Sequence, residues 1–140
     1  LGARRLTFDD PSEHIILPEV ISKEPISPMV AHGEDHWRDI VFWVFNALIA
    51  AEELGITQAN VDQMRSSSNN PEVQRILGVT GKFAAKLKLS ESWAYNAIKG
   101  VGNYGEIWDR YLGPNTKIAA DRGLNNLWTN GGLMISPPFR

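Results

Sequence analysis

Apolar and polar positions change period along the chain, and the changes divide it into segments. His14-Ile15-Ile16-Leu17-Pro18 and Pro25-Ile26-Ser27-Pro28-Met29-Val30-Ala31 are short apolar runs rich in β-branched residues and punctuated by proline, the pattern of edge strands. Glu19 to Glu24 connects them. Two strands cannot bury both faces of a sheet, so the pattern implies a sheet whose other members are mostly missing from this chain. From Glu34 the period becomes helical. Trp37, Ile40, Val41, Val44, Phe45, Leu48 and Ala51 form one row, and Phe42 and Ile49 form a second on the other side. A helix apolar on most of its circumference needs cover from several directions. Asp35 suits its positive start and Gly55 its left-handed stop.

Shorter helices follow. Thr57 caps one through Met64, and Asn70-Pro71-Glu72 opens another that carries Val73, Ile76 and Leu77 to Gly78, with Ser66-Ser67-Ser68-Asn69 as the loop between them. Ser90 precedes Trp93, Ala97, Ile98 and Val101; Gly100 and Gly102 break the row, and Asn103 caps a helix with Ile107, Trp108, Tyr111 and Leu112 that stops at Gly113-Pro114. Asp121 to Thr129 holds Leu124, Leu127 and Trp128 at helical spacing, before an extended tail from Leu133 to Arg140.

Composition narrows the function classes. The 140 residues, 43% hydrophobic and 21% charged, suit one soluble globular domain. A formal charge of -2 leaves no surplus of cations to neutralise a phosphate backbone, which argues against nucleic acid as a partner. There is no Cys for a disulfide framework or a thiolate metal site. The longest apolar stretch, Ile40 to Ala51, is interrupted by Asn46 and falls short of the roughly 20 residues a bilayer span requires. Leu1-Gly2-Ala3-Arg4-Arg5 lacks an initiator Met and any apolar run of a signal peptide, so a preceding segment is expected.

Each candidate for chemistry has a plainer reading. Gly100-Val101-Gly102-Asn103-Tyr104-Gly105 spells the G-x-G-x-x-G of dinucleotide sites, but a helix precedes it and no ribose-binding acid follows at the expected distance; a helix break is preferred. His32, Glu34, Asp35 and His36 crowd four potential metal ligands together, yet Gly33 intervenes where the helix is only starting and H-E-x-x-H is absent; a solvated helix start is preferred and no metal is expected. Asp9, Asp10, Glu13 and His14 suit a capped turn around Pro11. Trp37, Trp93, Trp108 and Trp128 fall on apolar stripes and are expected in the core rather than on a ligand. With no Cys nucleophile, no G-x-S-x-G and no serine in an activating context, no catalytic residue is assigned and no enzyme is expected.

Ile26-Ser27-Pro28-Met29-Val30-Ala31-His32-Gly33-Glu34-Asp35 resembles the returning strand and helix start of bacterial periplasmic amino-acid-binding proteins. Gly102-Asn103-Tyr104-Gly105-Glu106-Ile107-Trp108-Asp109-Arg110-Tyr111-Leu112-Gly113 is similar to that family's carboxy-terminal signature. Leu17 to Pro25, Ala51 to Thr57, Arg122 to Thr129 and the Pro137-Pro138-Phe139-Arg140 ending narrow the likeness to its general L-amino-acid-binding branch, from polar amino-acid ABC transporters.

The resemblance implies an α/β, two-lobed type II periplasmic binding fold of which this chain is the carboxy-terminal part, mainly helical with two or three short strands. Residues 1–18 would end the second lobe, and 19–25 would cross the hinge, with Ser22, Lys23 and Glu24 absorbing closure. Residues 26–113 would return into the first lobe, with a helical insertion at about 56–89, and 114–140 would form an extension. In the family an Arg and hydroxyls grip the ligand's carboxylate and an acid grips its ammonium. These would all precede Leu1, so no ligand residue is carried onto the chain. The intact parent would capture a free L-amino acid in the periplasm and deliver it to a membrane permease, without a cofactor. The chain alone should not bind well, and unpaired strands favour self-association or segment exchange. The competing classes are a self-contained helical interaction module and a small hydrolase using His32 or His36.

Overall fold

The computed structural model describes residues 1–19, 21–22 and 25–139. Seven helices are described: α1 (Gly2–Arg5), α2 (Asp35–Glu53), α3 (Val61–Ser67), α4 (Pro71–Ile76), α5 (Ala84–Leu87), α6 (Trp93–Val101) and α7 (Tyr104–Tyr111), with single 3-10 turns at Pro11–Glu13, Gly123–Asn125 and Trp128–Asn130. No described helix is long and apolar enough to cross a membrane.

Local chemistry sets the ends of these helices. Before α3, the Asn60 N–H donates to Thr57 Oγ1 at 3.2 Å while the Thr57 N–H donates to Asn60 Oδ1 at 2.7 Å, so Thr57 opens a separate turn; Asn60 rather than Thr57 stands at the helix start, and the helix runs to Ser67 rather than Met64. Pro71 opens α4, and Asn70 Oδ1 accepts the Glu72 N–H at 2.9 Å. At α7, Asn103 Oδ1 accepts the Glu106 N–H at 2.9 Å and Glu106 Oε2 accepts the Asn103 N–H at 2.8 Å, a complete capping box. Asn46, the polar interruption in the apolar run, is buried and donates its Nδ2 to the Phe42 carbonyl at 2.8 Å, one turn back.

The core gathers on the second half of α2. Ala47 and Ala51 are fully buried, and their small side chains let α6 and α7 pack closely against this helix. Ala94 and Ile98 of α6, Ile56, Val61 of α3, and Val73, Ile76 and Leu77 of α4 and its end complete the apolar centre. An aromatic cluster closes one side: Trp43 meets Phe83 edge-on at 4.8 Å between centroids, and Phe139, from the end of the tail, sits 5.3 Å from both. Burying these rings removes the largest apolar areas of the sequence from water.

Several expectations change. The apolar runs 14–18 and 25–31 form no strand, and among the described residues the only bridge pairs Leu127 with Met134. A strand exists only through a neighbour's ladder, and neither run meets one. Ser66 and Ser67 belong to α3 rather than to a loop, their hydroxyls donating back to the Gln63 carbonyl. The side chain of Ser90 does not cap α6; Trp93 N–H donates to its carbonyl at 3.0 Å. The short helix α5 carries no sequence signal of its own. Asp121 to Thr129 makes two separate turns instead of a helix, because Asn126 and Leu127 between them are extended, at ψ 159° and 148°.

Candidate functional site

One face of α2 is uncovered. Its first half carries Trp37 at 53% and Phe42 at 50% exposure, and beside it Ser27, Pro28 and Val30 on one side and Leu133 to Ile135 on the other frame a groove of about 420 Å³. Val41, Phe42, Phe45 and Ile49 supply its floor, with Asn46 among them. The lining is apolar apart from Arg38, Ser27 and Asn46, so the groove suits apolar surface, not a reacting substrate. The segment leading to it is also bare: Ile21, Ile26 and Met29 are each more than nine-tenths exposed. Trp37 and Trp128, at 55%, therefore correct the expectation that the stripe tryptophans are core, while Trp93 meets it. A stripe is buried only where a neighbouring element covers it.

The glycine-rich string 100–105 is the second notable place. Gly102 has φ +83° and ψ −175°, a conformation open essentially to glycine alone, and a Cβ there would press on Glu106. The string ends α6 and starts α7, as the helix-break reading expects. Its side chains tie distant segments together. Asn103 Nδ2 donates to the Ile56 carbonyl at 2.8 Å, Glu106 accepts the Gln58 N–H at 3.0 Å, and Gln58 Nε2 donates to the Lys99 and Gly100 carbonyls at the end of α6. That arrangement satisfies the orphan carbonyls of a helix end from another segment.

A partly buried ion pair completes this node. Arg122 grips Glu52 of α2 with both terminal nitrogens, Nη2 reaching Oε2 at 3.0 Å, and Nη2 also donates to the Asn125 carbonyl at 2.9 Å. The guanidinium carbon lies 5.4 Å from the Tyr104 ring centroid. The hydrogen bond to Glu52 pushes the Arg122 guanidinium above its usual range, and burial raises the Tyr104 phenol above its ordinary 10.0. Gly105 lies against this pair: a Cβ on it would come within 2.9 Å of the Glu52 carboxyl group. Nothing in the sequence spacing foretold the pair, since its partners are 70 residues apart.

A third cluster lies on the surface. Lys99 Nζ is 3.0 Å from both Asp62 oxygens and 2.9 Å from the Tyr95 hydroxyl, which donates to Asp62 at 2.5 Å; Arg65 stacks 4.3 Å over the Tyr95 ring. Hydrogen bonds from Tyr95 and then Lys99 hold Asp62 below its ordinary 3.8, and those with Tyr95 and Asp62 raise Lys99 above 10.5. The cluster links α3 to α6.

The residues singled out in the sequence are dispersed. Ser22 is exposed, while Lys23 and Glu24 lie outside the described residues. His32 and His36 are both exposed, His36 Nε2 lies 3.0 Å from the Leu87 carbonyl, and Asp35 pairs with Arg38. Among the described residues no three His, Cys, Asp or Glu side chains converge as metal ligands would. Asp10 caps the turn around Pro11 through the Ser12 N–H at 2.9 Å. None of the three places described pairs a nucleophile with a base.

Comparison with known proteins shows where such a chain occurs. It is 54% identical, over all of its length, to the general L-amino acid-binding periplasmic protein AapJ of Rhizobium johnstonii. Identity is 49% to the glutamate/glutamine/aspartate/asparagine-binding protein BztA of Rhodobacter capsulatus and 46% to the putative amino-acid ABC transporter-binding protein YhdW of Escherichia coli. The chain spans 41% of the length of each of these relatives. Its backbone matches an ABC transporter periplasmic binding protein from Brucella ovis with glutathione bound, at TM-score 0.94 and 46% identity, over 99% of this chain and 44% of that one. No family model matches. In sequence and in backbone, the whole chain is homologous to a part of periplasmic amino-acid-binding proteins of ABC transporters.

Proposed function

We propose that this chain is the carboxy-terminal part of a two-lobed, type II periplasmic binding protein which, when whole, captures an L-amino acid and hands it to the permease of an ABC transporter. The likeness over the whole of this chain, at 46 to 54% identity, carries the reading. The bare face of α2 supports it, because a groove edged by the 27–30 segment is the place for the rest of a lobe to dock its sheet. Residues 1–18 then end the second lobe, 19–25 cross between lobes with Ser22, Lys23 and Glu24 as the hinge, 26–113 return, and 114–140 fasten the return through Arg122 and Phe139. No reaction is assigned to it.

The ligand is a zwitterion with a free α-carboxylate and α-ammonium. The glutamyl end of glutathione carries the same two groups, so the ligands named for the relatives share one recognition chemistry. The groups that grip them are assigned to the preceding part of the protein. A self-contained helical module would account for the closed core but would leave Ile21, Ile26 and Met29 uncovered to no purpose.

Joining the preceding part of the Brucella ovis protein to this chain tests the proposal. Calorimetric titration with L-glutamate, L-glutamine and glutathione should give saturable heat for the joined protein and none for the chain alone. A folded joined protein that binds none of the three, or tight binding by the chain alone, would overturn it.

A further inference from the structure

We propose that the pocket between α2, α4, α5 and the end of the tail binds a small organic anion with an apolar body, of the arylalkyl carboxylate class. Its volume, about 350 Å³, is that of a small-molecule site. Trp43, Phe83 and Phe139 form its walls, held against one another by edge-on and tilted ring contacts at 4.8 to 5.3 Å. Arg75, Lys82 and Lys86 bring three positive charges to the same space, and among the described residues no carboxylate lines it, in a chain whose formal charge is -2. Among the described residues none of the three cations is paired with a carboxylate, and that local imbalance favours an anion.

The Arg75 Nε is buried without a hydrogen-bond partner among the described residues, a trait it shares with Arg5 and Arg122, so contact with a ligand falls to the terminal nitrogens of the guanidinium. A free phosphate would meet the charges but leave the aromatic walls wet. A neutral aromatic compound would cover the walls and leave Arg75 unpaired. A carboxylate on an aromatic body satisfies both, its oxygens accepting from the guanidinium and ammonium groups while its ring lies against Trp43 and Phe83. The groove beside α2 has Arg38 as its one charged group and therefore shows no such preference. The inference stands apart from the transport reading, because every group it uses belongs to this chain.

Calorimetry of the chain with 3-phenylpropionate, 3-phenylpropanol and inorganic phosphate decides it. The carboxylate should bind saturably at one per chain, with the alcohol and phosphate at least about tenfold weaker. Lys82 and Lys86 are exposed, so the Lys82→Glu/Lys86→Glu variant should keep its circular dichroism and lose at least about tenfold in affinity, as should Arg75→Gln. No saturable heat with 3-phenylpropionate at millimolar concentration would overturn the proposal. So would equal binding of the alcohol or of phosphate, or unchanged affinity in the folded double variant.

Discussion

The two halves of α2 are written in the same amphipathic period and meet different fates. From Asn46 to Ala51 every residue is buried, Ala47, Leu48, Ala50 and Ala51 in the main core and Asn46 and Ile49 at the bottom of the groove. From Asp35 to Phe45 none is buried, and Phe42 stands half exposed although it lies on an apolar row. Periodicity therefore marks which side of a helix would profit from cover, while the cover itself comes from residues far away in the chain. The amino-terminal segment repeats the lesson in extended form: Ile26 is 97% exposed, whereas Ile98, no more apolar, is fully buried.

Core truncation should separate the two regions most strongly. Leu77→Ala or Ile98→Ala should destabilise the chain by about 2–5 kcal/mol in urea unfolding, because both leave a cavity at a fully buried site. Ile26→Ala should stay within about 0.5 kcal/mol in the chain alone. In a protein that also contains the preceding part, the same substitution should become costly if that part covers the segment; equal effects in both settings would remove the docking argument.

Next in size is the Glu52–Arg122 pair, which joins the covered half of α2 to the 114–140 segment. Arg122→Gln should cost about 2–3 kcal/mol, since it strands a partly buried carboxylate. Gly105→Val should do comparable damage by pushing Glu52 out of place. A Glu52→Gln/Arg122→Gln double variant should be less harmed than the sum of the singles by at least about 0.5 kcal/mol, and strict additivity would show the pair to be idle. Asn103→Ala comes after these, at about 1–2 kcal/mol by thermal melting, for the lost cap and the lost bond to Ile56.

The smallest effect is the pH dependence of the α3–α6 link. Asp62 has a depressed pKa in the folded state, so its contribution is fully present above 3.8 and fades as pH falls through the lowered value. Lys99 and Tyr104 have raised values, so theirs are fully present below 10.5 and 10.0 and fade as pH rises through the folded ones. Stability should be flat between these limits. Asp62→Asn should shrink the acid limb and, because Asp62 helps to raise Lys99, weaken the Lys99 part of the alkaline limb as well; an acid limb unchanged by it would remove the link from the account.

Much of the helical part was legible along the chain. Asn70 with Pro71 and Glu72, and Asn103 with Glu106, act within three residues of one another, so a string of letters contains both partners. The candidate groove was legible only as a deficit, two apolar segments with no partner to bury them. Arg122 with Glu52, Phe139 in its aromatic cluster and the charged pocket of Arg75 were not legible, because each assembles groups from separate segments. The strands expected at 14–18 and 25–31 failed for the same reason, since a ladder needs a second strand and β-branched composition supplies only one side of it.

By itself the sequence determined where α2, α4 and α7 start and stop, that the chain is acidic and without thiols, and which proteins it resembles. These are set by neighbouring residues or by totals, and neither depends on how the chain closes. Tertiary structure alone decided which apolar rows are covered, which charges are paired and which line a pocket. Burial and pairing are properties of atoms that meet in space, and the residues that meet here come from opposite ends of the chain.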